Sequence, residues 1–223
     1  MINNKLLSAC IILPGILCSL ALVAQVPVRE EPHHKVVLEN QYVRLIDVHI
    51  APNDTTSIHT HEVSSVIVFL TTSTIGTQII GEKPVINDVK PGQTNYGAYG
   101  DKKVTHRVWN QGGSLFHVMD IELVKQQTGH DTCLTINQSG IKLQWQQPLV
   151  RTYNMEINQG ISFAIPKSAC AHLLIDISGV ITTAAGATVR TIQDGGFVFF
   201  PPNSNIQISS NKNIANCVLL ELK

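Results

Sequence analysis

From residue 25 onward, apolar residues alternate with polar ones or gather in short runs, and hardly any stretch repeats at the helical period. Alternation sends successive side chains to opposite faces, the mark of a half-buried strand. By that criterion residues 42–50, 63–71, 77–80, 104–109 and 115–124 are predicted strands. So are 150–157, 172–180, 188–192, 197–200, 206–210 and 217–222. Turn formers punctuate them, as in Pro52-Asn53-Asp54, Lys90-Pro91-Gly92 and Asn110-Gln111-Gly112-Gly113. Many short strands at this spacing predict an all-β chain built as sandwiches or barrels.

The pattern also repeats. A shift of 107 residues sets Val43-Arg44 on Val150-Arg151, Ile50 on Ile157 and Ile58 on Ile165. The run from Val66 to Leu70 falls on Leu173 to Ile177 without a gap. Further on, Gly92 meets Gly195 and Glu122-Leu123 meets Glu221-Leu222, the shift shrinking as loops shorten. Matches in one shared order predict two copies of one β unit, at 34–125 and 141–223, joined by a polar linker at 126–140.

Composition narrows the partners. Charged residues make up 14% and hydrophobic ones 43% of the 223 residues, which excludes a disordered chain. Sixteen basic residues balance sixteen acidic ones, so the electrostatic footprint of a nucleic-acid binder is missing. Residues 1–24 read as a secretory signal peptide: Lys5, an apolar stretch broken by Pro14-Gly15, then small residues at Ser19, Ala21 and Ala24. The expectation is a periplasmic or secreted protein with no membrane attachment after cleavage. Leu7-Ser8-Ala9-Cys10 spells a lipoprotein box, but it precedes most of the apolar segment and is read as coincidence. Removing the leader leaves Cys133, Cys170 and Cys217, enough for one disulfide and one thiol, with the pair open.

Histidines carry the candidate chemistry. Ile58-His59-Thr60-His61 puts two imidazoles two residues apart, on one face of a strand. His106, in Thr105-His106-Arg107-Val108-Trp109-Asn110, lies on another strand. Three neutral imidazoles converging inside a barrel suit a divalent ion such as Fe, Mn, Ni, Zn or Cu, with positions left open for water or substrate. These residues resemble the motifs of the cupin superfamily. The first motif, G-x5-H-x-H-x3,4-E-x6-G, is matched from Asn53 to His61, and the second, G-x5-P-x-G-x2-H-x3-N, by Gly92, Gly100, His106 and Asn110. The resemblance implies two tandem cupin barrels (jelly rolls, or double-stranded β-helices), that is, a bicupin. It also implies metal ligation by His59, His61 and His106.

The departures are specific. Asn53 stands for the turn glycine, Ala98 for the proline, and three extra residues separate Gly100 from His106. The family's glutamate ligand falls at Ser65 or Val66, neither a carboxylate, and strand parity turns Glu62 away from the ion. A three-His site is therefore expected, open to an anionic or bidentate ligand. In the second copy His59 falls on Pro166, His61 on Ser168, Ser65 on His172, and Asn205 faces His106, so that copy is expected to be degenerate and to cover the first. His33 and His34 are expected to be exposed, and His130 lies in the linker. Arg107 and Trp109 alternate with His106 and are expected to pack between sheets or domains. Tyr42, Tyr96, His49 and His117 are the candidate bases, although no spacing ties them to the triad. The resemblance implies a metal-dependent dioxygenase or isomerase acting on a small chelating molecule. The alternative is a non-catalytic binder of a metal or small molecule in the cell envelope. Cupins also pair through sheet edges, so a homodimer is compatible with this reading.

Overall fold

The alternating segments become nineteen strands among the described residues of a computed structural model, which are 25–124, 133 and 135–223. The predicted leader, much of the linker and His130 lie outside the described residues. The first half contributes β1 (Val26–Pro27), β2 (His34–Glu39), β3 (Val43–Ile50), β4 (His59–His61) and β5 (Ser65–Phe69). It continues with β6 (Ser73–Ile79), β7 (Val85–Val89), β8 (Thr94–Gly97), β9 (Val104–Asn110) and β10 (Phe116–Leu123). The second half holds β11 (Ile141–Gln147), β12 (Val150–Ile157), β13 (Ser162–Ile165), β14 (Ala171–Ser178) and β15 (Ile181–Ala185). Then come β16 (Thr188–Ile192), β17 (Phe197–Phe200), β18 (Ile206–Ser209) and β19 (Ala215–Leu222).

Each half folds two sheets into a barrel, and the orders coincide. β2-β3-β10-β5-β8 faces β1-β4-β9-β6-β7 in the first, and β11-β12-β19-β14-β17 faces β13-β18-β15-β16 in the second. Internal duplication reaches the level of single contacts. Arg44 pairs with Glu122 across β3 and β10, and Arg151 donates to Glu221 at 2.6 Å across β12 and β19. Gly92 and Gly195, matched in the sequence, have φ of 78° and 81° in corresponding turns, where a side chain is disfavoured. The first barrel also recruits chain before residue 34, since β1 runs parallel to β4 with Val26 opposite His59.

Strand parity divides the core in three. On β3, β5 and β10 one face gives Leu45, Val68 and Ile121, which pack on Leu173, Val218 and Leu220 of the second half. This is the core between the barrels, and it realises the expectation that the second copy covers the first. The opposite face of the same strands turns Ile46, Val48 and Phe69 into the first barrel. The second barrel is filled by its own set, including Tyr153, Met155, Ile157 and Leu219, all fully buried or nearly so.

Cys133 and Cys170 form the disulfide, and Cys217 is the buried free thiol. The bridge ties Cys133, midway along the linker, to Cys170, which immediately precedes β14, across 37 residues. Its loss in Cys133→Ala/Cys170→Ala is expected to lower unfolding stability by about 2–4 kcal/mol, read by urea denaturation against the oxidised protein.

Candidate metal centre

β4 and β9 build the site together. His59 and His61 share the inward face of β4, and the antiparallel register sets His106 directly opposite His59. The three rings meet at their Nε2 atoms: His106 Nε2 lies 2.9 Å from that of His59 and 3.0 Å from that of His61. His59 Nδ1–H donates to the Ser57 carbonyl at 2.9 Å, which leaves its Nε2 lone pair facing the other rings. Burial, reinforced by the neighbouring imidazoles, drives the His61 pKa down to about 2 and that of His106 to about 3, and burial lowers His59 as well. All three are neutral at pH 7, the form in which imidazole binds a metal. A proton on His106 Nε2 can bridge the trio, and a cation at the same point would replace it. The donor set fits a divalent ion.

The N-terminal segment closes over this triad. His34 is not exposed as expected: its ring packs edge-on to His59 at 4.8 Å between centroids, and its Nδ1 donates to the Val28 carbonyl at 2.6 Å. Burial and the proximity of His59 lower its pKa to about 4. His33 bridges Glu31 and Asp54, at 2.9 Å to each, and is only partly exposed. Although burial pushes Glu31 upward, hydrogen bonds from His33 and from the Ser57 amide (3.0 Å) hold it below the usual carboxylate range. Glu31 thus fixes Ser57, whose carbonyl in turn orients His59.

Behind His61 stands Asp120 of β10, fully buried, with Oδ2 3.5 Å from His61 Nδ1. Neither of its oxygens, nor His61 Nδ1, nor Ser65 Oγ has a hydrogen-bond partner. Burial lifts the Asp120 pKa to about 7, with nearby Ser65 pulling down and Glu122 pushing up. Tyr99 leans on His61 at 4.8 Å between ring centroids. The triad opens into a cavity of about 420 Å³, whose body is formed by Ile67, Phe69, Ile75, Val108 and Val118. Among the described residues no lysine or arginine lines it.

No protein-family model matches the sequence, and no curated protein matches it. Solved structures do. A cupin 2 conserved barrel domain protein from Leptotrichia buccalis superposes with a TM-score of 0.55 at 11% identity, covering 90% of this chain and 100% of its own. A salicylate 1,2-dioxygenase from Pseudaminobacter salicylatoxidans gives 0.63 at 8% identity, over 85% and 76% of the two chains. Oxalate decarboxylase from Bacillus subtilis, a protein with Mn(II) centres, gives 0.60 at 10% identity, over 82% and 70%. The chain has the cupin fold. Two such barrels lie in tandem, and the triad occupies the strands that carry the cupin-like motifs.

Within this fold Asn53 takes φ 62°, doing the work of the motif's turn glycine. Glu62 points outward to Lys103 at 2.6 Å, as parity required. The position of the missing glutamate, Ser65, faces inward beside Asp120, so a carboxylate is present nearby but is directed at His61 Nδ1. Asp120, His34 and Glu31 escaped the sequence reading. Asp120 alone left a signal: at inward parity within an apolar strand, it is an acid without the facing arginine that Glu122 has in Arg44. Of the candidate bases Tyr96 borders the cavity but turns its ring onto Trp145, 6.0 Å between centroids, in the core between the barrels; Tyr42 packs on Phe199, and His49 and His117 lie on the outer face of the sheet. Arg107 is not packed between layers but exposed, donating to Gln78, while Trp109 lies over Gly76, where a Cβ would fall 1.9 Å from the indole.

The second cupin barrel has no counterpart of the triad. β13 spans Ser162–Ile165 and pairs Ile165 with Ile206 of β18, so Pro166 and Ser168 lie beyond the strand and Asn205 precedes its partner. Phe163, Ile165, Ile206 and Ile208 fill the interior instead. His172 does take the place of Ser65, buried with its Nε2 3.8 Å from Glu221.

Proposed function

We propose that the first barrel binds one divalent metal ion through His59, His61 and His106 and presents it to a small chelating ligand inside the cavity. The convergence of three neutral Nε2 atoms at one buried point carries this reading. Fe, Mn, Ni, Zn or Cu suits such a nitrogen set. When bound, the ion supplies Lewis acidity or redox chemistry to a coordinated substrate. The chain supplies the rest: His34 and the Glu31–Ser57 relay hold His59, Asp120 stands 3.5 Å behind His61 Nδ1, and Ile67, Phe69 and Val118 give the cavity an apolar body. A cavity to which the described residues bring no ammonium or guanidinium group suits a ligand with an apolar body and a chelating head better than a small dicarboxylate. The dioxygenase and decarboxylase among the structural neighbours support a metal-dependent oxidoreductase, with an isomerase as the related case.

A non-catalytic binder is the second reading. It is favoured by the direction of Asp120, whose carboxylate faces His61 rather than the open cavity. The apolar leader supports export to the periplasm or beyond, and the exposed edge strands β7 and β16, with Val85, Ile86 and Val189, are where two copies would pair.

Metal analysis of untagged protein tests the site: at least one equivalent is expected in the wild type, and His59→Ala/His61→Ala is expected to hold one fewer. Near-zero metal in both would refute it. Oxygen uptake with diketones, thiols and phenols then separates enzyme from binder.

A further inference from the structure

Asp47 and His49 lie two residues apart on β3, and β10 sets His117 directly opposite His49. All three leave the face that carries Leu45 and Ile121, away from the first barrel's cavity, at the rim where the core between the barrels gives way to solvent. His117 Nε2 is 2.7 Å from Asp47 Oδ1, and His49 Nε2 is 3.8 Å from the same oxygen. The two imidazoles stack at 4.1 Å between centroids, and one ligand atom from each residue lies within 4.8 Å of the others. Asp47 and His117 are about one-fifth exposed and His49 is 45% exposed, so water has access to the open side. The second barrel helps to fix the cluster: a Cβ on Gly195 would fall 3.1 Å from His117 Cε1, so this turn closes over the ring.

We propose that Asp47, His49 and His117 form a second divalent-cation site, independent of the barrel triad, for a borderline ion of the zinc class. Two imidazole nitrogens and one carboxylate oxygen on adjacent sheet positions supply three ligands from one side, and solvent completes the shell. Because the sheet already holds the residues in place, few rotamers remain to be ordered on binding. Lys35, opposite Asp47 in the β2–β3 ladder, opposes the cation and sets a limit to its affinity.

Calorimetric titration of Zn²⁺ into the metal-free full chain tests this. Two equivalents are expected for the wild type, one for His59→Ala/His61→Ala and one for His49→Gln/His117→Gln. In the His59→Ala/His61→Ala background, Asp47→Asn weakens the remaining site at least tenfold and Lys35→Ala strengthens it. Thermal melts of the metal-free proteins confirm that each variant folds. Absence of binding in His59→Ala/His61→Ala, or binding only at millimolar Zn²⁺, overturns the proposal. Loss of all binding in His49→Gln/His117→Gln supports it and counts against the barrel centre instead. Imidazole NMR on the wild type needs no variant: His49 and His117 resonances shift by the second equivalent, and resonances unmoved at saturation overturn the site.

Discussion

Metal-free protein taken from pH 7 to pH 4.5 is expected to lose stability steeply, on the order of 3–5 kcal/mol from linkage at its buried histidines. The native chain holds His61, His106 and His34 neutral, with pKa values of about 2, 3 and 4. In the unfolded chain each returns to about 6.5. Their contribution is therefore complete above pH 6.5 and is lost as pH falls toward the folded values, at up to about 1.4 kcal/mol per pH unit for each ring. Asp120 works in the opposite sense. With its folded pKa raised to about 7, its contribution is present at low pH and disappears as pH rises through that value, so it offsets roughly one histidine during acidification. Urea denaturation between pH 7 and 4.5 measures the slope, and His106→Leu should flatten it. A stability that stays level or rises on acidification would rule out a buried neutral cluster. Protons and a metal ion compete for the same nitrogens, so metal release should follow the same pH range.

The triad was legible in the sequence because its geometry is local. His-x-His needs only strand parity, and the third ring needs only an antiparallel partner in register. The strands β3, β5, β10, β12 and β14 were legible for a related reason: each is packed on both faces, against a barrel interior and the core between the barrels, and so carries a dense apolar pattern. By contrast β7 is an exposed edge, and β8, Thr-Asn-Tyr-Gly, is a strand only because β5 lies beside it. The constant shift of 107 residues held within β3 and β5 and also at the site: Ile165 pairs with Ile206, which brings Pro166 and Asn205 to the places of His59 and His106, although β13 itself ends at Ile165. His34 was misjudged because its burial depends on where the N-terminal segment crosses the barrel, which no local pattern encodes.

Asp120→Leu is expected to stabilise the metal-free protein while weakening the metal centre. The second barrel has already made this exchange: Asp120 faces Ile67 in the β10–β5 ladder, and Leu219 faces Leu174 in the matching one. Leu219 sits in a packed interior, whereas Asp120 holds two buried oxygens with no hydrogen-bond partner. An uncompensated buried carboxyl costs about 1–3 kcal/mol even when neutral, which leucine at the same place should recover. With Oδ2 3.5 Å from His61 Nδ1, a small closure on metal binding would let Asp120 accept that proton and keep Nε2 turned toward His59 and His106, which leucine cannot do. Loss of such a carboxylate typically lowers metal affinity by about 10- to 100-fold. Asp120→Asn should fall between, since its amide oxygen can still accept from Nδ1 without carrying charge. Urea denaturation of the metal-free variants and zinc calorimetry in the Asp47→Asn background separate the two effects. If Asp120→Leu lost stability, the carboxylate would have to be a structural element of the barrel. If it left affinity unchanged, Asp120 would have no part in orienting His61, and the contrast with Leu219 would reflect packing alone.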